Sequence, residues 1–326
     1  MKNFSPQVIT VLLMAAVAVL VAAPFLLYPR FLIEIMCFAL FAASVNLLVS
    51  YAGLLSFGHA MFFGAAGYVT AHAVKVWGLE PASGIILGVL VAAGIGWVTG
   101  LLAIRLQGIY FSMVTLAFSQ LIYFLALRME FTGGEDGLQN VPRRALLGVF
   151  DLSGNLAMYF LVTLITAFAF FVIYRVVNSP FGQILKAIRD NEPRAVSLGF
   201  RANRFKSLVF VISASMAGLA GATKAVAFQV VTLTDLTWVT SGEALLICIL
   251  GGMHTLLGPV VGAILIVSMS HYLASLPEWV LIIQGTVFVV VVMLFRKGIV
   301  GEFYAWLDRQ AARRSAVPSP ASVREE

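Results

Sequence analysis

Charge is scarce in this chain. Only 11% of its 326 residues are Asp, Glu, Lys or Arg, 61% are hydrophobic, and the mean hydropathy is +0.98, which excludes an ordinary soluble domain. Alternation of apolar and polar residues at period two is also lacking. Of the two structures that satisfy every backbone polar group in lipid, this favours a helical bundle over a closed barrel. Cysteine is nearly absent: Cys37 and Cys248 each sit inside an apolar run, neither at metal-ligand spacing from another Cys or a His, so both read as packing residues. No C-x-x-C, H-E-x-x-H, G-x-S-x-G or P-loop pattern occurs, so the chain cannot hydrolyse ATP itself and no metal or cofactor is expected. With four His and few acids, no catalytic constellation assembles, and a membrane-embedded enzyme is disfavoured. Lys and Arg never interleave with aromatics as a nucleic-acid stripe requires, so nucleic-acid partners are excluded.

Long apolar runs are abundant instead. A crossing needs roughly 20 mostly apolar helical residues, and such runs fall near 8–28, 31–51, 57–77, 83–104, 108–127, 157–177 and 206–228, followed by a short one at 241–253 and others at 258–273 and 279–295. The expectation is an all-α polytopic membrane bundle of about 8–10 transmembrane helices, with the lipid bilayer as its surroundings. One segment is interrupted, at Gly251-Gly252-Met253-His254-Thr255-Leu256-Leu257-Gly258-Pro259. The first run continues unbroken past Ala18 to Tyr28, longer than a signal core, and reads as a retained helix. Residues 1–307 form the expected transmembrane domain, and 308–326 a flexible cytoplasmic tail poor in large apolar groups.

Between the two sets of runs lies a basic island, residues 179–206, with Lys186, Arg189, Arg194, Arg201, Arg204 and Lys206 against Asp190 and Glu192. With ten crossings, the island falls on the same side as Lys2, Arg105, Arg175 and the tail's cations. The opposite side holds only Arg30, Lys75, Arg128, Arg143, Arg144 and Lys224. Positive charges in short loops are retained inside, so island and both termini are expected in the cytoplasm. Within the island Asn191 can cap a short helix, Glu192 to Leu198, and Gly199 stands where such a helix ends in the left-handed conformation. Ala195, Val196 and Leu198 give that helix apolar contact groups. Two readings compete on these features: docking into another protein's groove, and lying on anionic headgroups.

A resemblance bears on that choice. Ser179-Pro180-Phe181-Gly182, then Lys186-Ala187-Ile188-Arg189-Asp190-Asn191-Glu192, with Ala195, Leu198-Gly199, Lys206 and Phe210, resemble the cytoplasmic coupling loop of ABC-importer permeases for branched-chain amino acids. Tyr51-Ala52-Gly53-Leu54-Leu55-Ser56-Phe57-Gly58-His59 and Phe62-Phe63-Gly64 are similar to the family's early membrane signature. Thr132-Gly133-Gly134-Glu135-Asp136-Gly137-Leu138 resembles the outer loop of the M-type subunit. The likeness runs from about residue 35 to 296. Two positions depart from it: Glu192-Pro193-Arg194 stands where the signature begins Glu-Ala-Ala, and His254 stands where Gly is common. If that second position needs a positive φ, His fits it less well than Gly.

The resemblance implies a half-permease of an inner (plasma) membrane importer. Its partners would be a second homologous permease subunit, two cytoplasmic ATP-binding subunits that hold the ATP, and an extracytoplasmic substrate-binding protein. Leucine, isoleucine and valine are the expected substrates, with urea or short amides as the alternative. A secondary transporter would show two related halves with paired broken helices, whereas the island has no counterpart in the other half. The implied ATPase-coupling lever comprises Glu192 and Arg194 as polar contacts, Ala195 and Leu198 as its buried face and Gly199 as its turn. Along the substrate path the candidates are Asn46, Ser56 and His59, near the glycines Gly53, Gly58, Gly64 and Gly67, and also Glu243. Each has a structural alternative: helix-to-helix hydrogen bonding for the first three, helix packing for the glycines. For Glu243 the alternative is an outer interfacial place beside Ser241 or a pair with Lys224, and Glu34 poses the same question. The loop from Arg128 to Asn155 reads either as the surface that meets the binding protein or as an exposed turn.

Overall fold

A computed structural model of the chain describes residues 22–144, 152–275, 277–295, 297–303 and 305–306. Most of the expected run 8–28 and the whole tail 308–326 lie outside the described residues. The rest is helical, in the order α1 (Pro29–Asn46), α2 (His59–Lys75), α3 (Pro81–Ala103), α4 (Ile109–Arg128), α5 (Asn155–Asn178), α6 (Pro180–Asp190), α7 (Glu192–Ser197), α8 (Ala202–Phe228), α9 (Trp238–Gly251), α10 (Gly258–Tyr272) and α11 (Pro277–Leu294). The bundle is thus all-α, and nine of its helices fall on the expected runs. The sole sheet among the described residues is a two-residue antiparallel ribbon, β1 (Leu138–Gln139) on β2 (Val230–Val231), with Leu138 opposite Val231.

Among the described residues, six segments are long and apolar enough to cross a membrane: Pro29–Ala52, Pro81–Ala103, Ile109–Arg128, Asn155–Asn178, Ala202–Phe228 and Ile282–Phe303. The first exceeds α1 because α1 continues through a π-helical stretch, Leu47–Ala52, until Gly53 turns the chain at φ +71°. Helices α2, α9 and α10 are shorter, at 17, 14 and 15 residues. At 1.5 Å per residue they fall short of a hydrocarbon core about 30 Å thick. Their place explains how they are tolerated: α2 is buried along nearly its whole length, wrapped by α3 and α8, while α9 and α10 form a hairpin against α1.

Close approach of backbones builds this centre. A Cβ on Gly221 of α8 would stand 1.9 Å from the Phe63 carbonyl oxygen of α2, one on Gly218 2.4 Å from the Cβ of Ala92 on α3, and one on Gly96 of α3 2.5 Å from the Cβ of Ala214. The expected glycine stretch serves the same end at Gly58 and Gly64, where a Cβ would fall 2.5 Å from the Thr115 carbonyl oxygen and from Leu236 Cγ. Small residues allow such packing where lipid offers no hydrophobic drive between helices.

The two ends of the bundle differ. At one end Lys75 Nζ donates to the Gln139 carbonyl (2.7 Å), Arg144 to that of Gly78 (2.7 Å) and Arg143 to Asn155 Oδ1 (2.9 Å). At the other lie the island, the α3–α4 turn and the break between α9 and α10, with Gly252 packed on residues 297–301. The helices α1–α5 and α8–α11 alternate in direction, so among the described cations Arg105, Arg175 and the island share one end and Lys75, Arg143 and Arg144 the other.

Candidate functional site

The island folds as a helix-turn-helix rather than the single short helix expected. Ser179 caps α6, its Oγ accepting from Gly182 N (3.4 Å) with Pro180 in the first turn. The apolar residues Phe181, Leu185 and Ile188 recur at helical spacing, and Leu185 and Ile188 are buried. That i, i+4, i+7 pattern was present in the sequence and would have located α6.

Helix α7 forms as expected. Asn191 is extended (φ −158°) and its Oδ1 accepts from Arg194 N at 3.0 Å. Its end is a Schellman closure: Phe200 N donates to Ala195 O (3.2 Å), Gly199 N to Val196 O (2.9 Å), and Gly199 takes φ +89°. Ala195 is buried with Ile188 and Ala202, so it faces its own chain and pins α7 onto α6 and α8. Glu192 also turns inward, its Oε2 lying 2.7 Å from Lys206 Nζ and accepting from Gln107 Nε2 at 3.2 Å. Pro193 at the second helical position supplies no donor that the first turn needs. Arg194, Val196 and Leu198 are left exposed, Leu198 at 70%.

The island is tied to the membrane part through Arg189. Its Nη1 donates to the Ser50 carbonyl and lies 3.3 Å from His254 Nδ1, while Nε and Nη2 bind Asp190 Oδ1. His254 takes φ +69°, so this position does require the left-handed region. The imidazole reaches what a glycine could not, with Nδ1 3.1 Å from Ser50 O, while its backbone N–H donates to Ser50 Oγ (3.0 Å). Asn46 completes this joint, donating from Nδ2 to Thr255 O (2.9 Å) and accepting from Ser50 Oγ. The end of α1, the α9–α10 break and α6 therefore form one hydrogen-bonded unit.

Of the expected path residues, Asn46 is 3% exposed and Ser56 and His59 are 0%. Ser56 Oγ accepts from Gly58 N (3.2 Å). His59 Nε2 lies 2.8 Å from Ser213 Oγ, which spends its single proton on Ser44 O (2.6 Å). Nε2 must then carry the imidazole proton, leaving Nδ1 as the lone pair, and Nδ1 has no partner. Asn46 and His59 thus bind across elements, while Ser56 bonds locally within its own turn. Toward the opposite end, Lys224 is paired with Asp235 and lies over the rings of Phe38 and Phe63. Glu243 and Glu34 are half-buried and within electrostatic reach of each other and of Lys224. Ser241, two residues before Glu243, accepts from Ala60 N at 2.8 Å. The Lys224–Asp235 pair joins two elements eleven residues apart, and nothing in the local sequence marked it.

An all-α bundle with a backbone-packed centre, six long apolar segments among its described residues and a structured basic loop at one end is the architecture of a polytopic membrane protein. Residues 27–292 match the model of the family described as branched-chain amino acid transport system / permease component, and the chain belongs to that family. Relatives include the high-affinity branched-chain amino acid transport system permease protein LivM of Salmonella typhimurium and that of Escherichia coli. Each is 29% identical over 311 residues, covering 87% of this chain and 73% of the relative. A probable branched-chain amino acid transport permease protein LivM of Methanocaldococcus jannaschii is 24% identical over 215 residues, 55% of this chain and 61% of the relative. No solved structure matches the chain.

Proposed function

We propose that this chain is one of two homologous permease subunits of an ATP-driven importer of leucine, isoleucine and valine, forming half of the translocation path. It would stand in the bacterial inner membrane with both termini in the cytoplasm. Two cytoplasmic subunits bind and hydrolyse ATP, and an extracytoplasmic binding protein delivers the amino acid. The island carries the reading: α6 and α7 are bolted to α1, α8 and the α3–α4 turn, yet present Arg194, Val196 and Leu198 outward. An effector shifts a conformational equilibrium only by its differential contacts with the two states. A rigid loop joined by Arg189, Ser50 and His254 to the α9–α10 break suits the transmission of such contacts.

The test is ATP-dependent uptake of labelled leucine, with labelled urea alongside, in vesicles holding this chain and its candidate partner subunits. Replacing Leu198, which is 70% exposed, by Asp is expected to lower leucine uptake about tenfold or more, as loss of an interface anchor does, with insertion unchanged. Ion-driven uptake by this chain alone, without ATP, would overturn the proposal. Urea uptake in place of leucine would overturn the substrate.

A further inference from the structure

A pocket of about 440 Å³ opens at the island end between α5, α6, the end of α1 and the α9–α10 break, with Tyr51, Tyr174, Lys186, Arg189 and His254 in its lining. Its lining holds two cations and no carboxylate. Asp190 neutralises part of Arg189 from outside the lining and is itself 65% exposed, so water screens it. Lys186 Nζ has no hydrogen-bond partner among the described residues and rests 5.5 Å above the Tyr51 ring. Three of the five Arg189 N–H groups are used by Ser50 and Asp190, a fourth faces His254 Nδ1, which accepts it only when not itself donating to Ser50 O, and one remains. The pocket thus offers unused donors and uncompensated positive charge to a ligand with several acceptor oxygens.

A second observation says where that ligand comes from. Along one face of α5, Leu156, Phe160, Leu164, Phe168, Phe171 and Tyr174 are exposed at spacings of four and three. This apolar stripe ends in the pocket, because Tyr174 belongs to both. A cation pair at the boundary between an apolar helix face and a basic loop sits at headgroup level. We infer that this pocket binds the phosphate of an anionic phospholipid, whose acyl chain lies along the α5 stripe. The family assignment does not supply this site, and transport of any particular substrate is not needed for it.

The full chain would be placed in nanodiscs of equal phosphatidylglycerol and phosphatidylcholine, and the lipid retained on release measured by native mass spectrometry. We expect preferential retention of phosphatidylglycerol, reduced about fivefold in Lys186→Gln, the effect of one cation near a charged headgroup. Arg201→Gln, the same charge change on the same loop but outside the pocket, is expected to retain the lipid. Phe171→Ser, which leaves the cations intact, is expected to reduce retention through the stripe. Equal retention of the two lipids by the unaltered chain would overturn the inference, as would equal losses in Lys186→Gln and Arg201→Gln, which would reduce the effect to general surface charge. Binding of inorganic phosphate without any preference for phosphatidylglycerol would also overturn it, assigning the pocket to a soluble anion.

Discussion

A methyl group added to Gly221, at the α2–α8 crossing, would stand 1.9 Å from a backbone oxygen, whereas one added to Gly199 in the island would meet nothing within 4 Å. The two glycines exist for opposite reasons: the first because backbones touch, the second because the chain turns at φ +89°. Polar side chains divide the same way. In the centre, His59, Ser213 and Ser44 form a closed relay with no exposure, while in the island Glu192, Lys206 and Arg189 lock the frame and leave Arg194, Val196 and Leu198 facing out. The polar groups described in the centre bind one another, and the island keeps exposed side chains on a structured frame.

Adding one methyl in each place is the strongest way to break this contrast. Gly221→Ala sets a carbon against a carbonyl that cannot move without shifting α2, and overpacking of that kind costs about 3 kcal/mol. The fraction of protein surviving mild heating in detergent, read by size-exclusion, should fall sharply. Gly199→Ala has open space around it, so only the strained dihedral remains, at about 1 kcal/mol. Insertion and thermal survival should be nearly unchanged, with the loss appearing in ATP-driven uptake because the Schellman closure sets where Leu198 points. Equal thermal losses for the two variants would show that the island is as tightly built as the centre.

What the sequence revealed divides along the same line. Helix positions were legible because apolar length and charge punctuation are local, and so was the Asn191 to Gly199 helix, whose cap and closure lie within nine residues. At His254 the sequence posed the left-handed conformation only as a condition, through the glycine that commonly stands there, and the structure meets it. Long-range pairings were not legible: Ser213 gives no sign that it meets His59, nor Asp235 that it meets Lys224, since each partner is chosen by how α8 crosses its neighbours. Asn46, Ser56 and His59 were flagged as polar groups in apolar runs, and polarity alone does not distinguish a group that faces a substrate from one that binds a neighbouring helix.

The smallest effect expected is at the joint between the two regions. His254 holds φ +69°, a conformation that disfavours a side chain by about 1 kcal/mol. His254→Gly would relieve that, but glycine loses more chain entropy on folding, by roughly 0.5–1 kcal/mol, and the imidazole contacts with Ser50 O and Arg189 disappear. These terms nearly cancel, so stability should change by less than about 0.5 kcal/mol. The mechanical consequence need not cancel. Without the imidazole, Arg189 keeps Ser50 but loses its direct side-chain link to the α9–α10 break, and hydrogen exchange at residues 252–256 should quicken while that of α7 stays as it was. If exchange quickens equally in α7, the joint holds the whole island in place, and the frame that presents Leu198 depends on His254 as much as on Lys206.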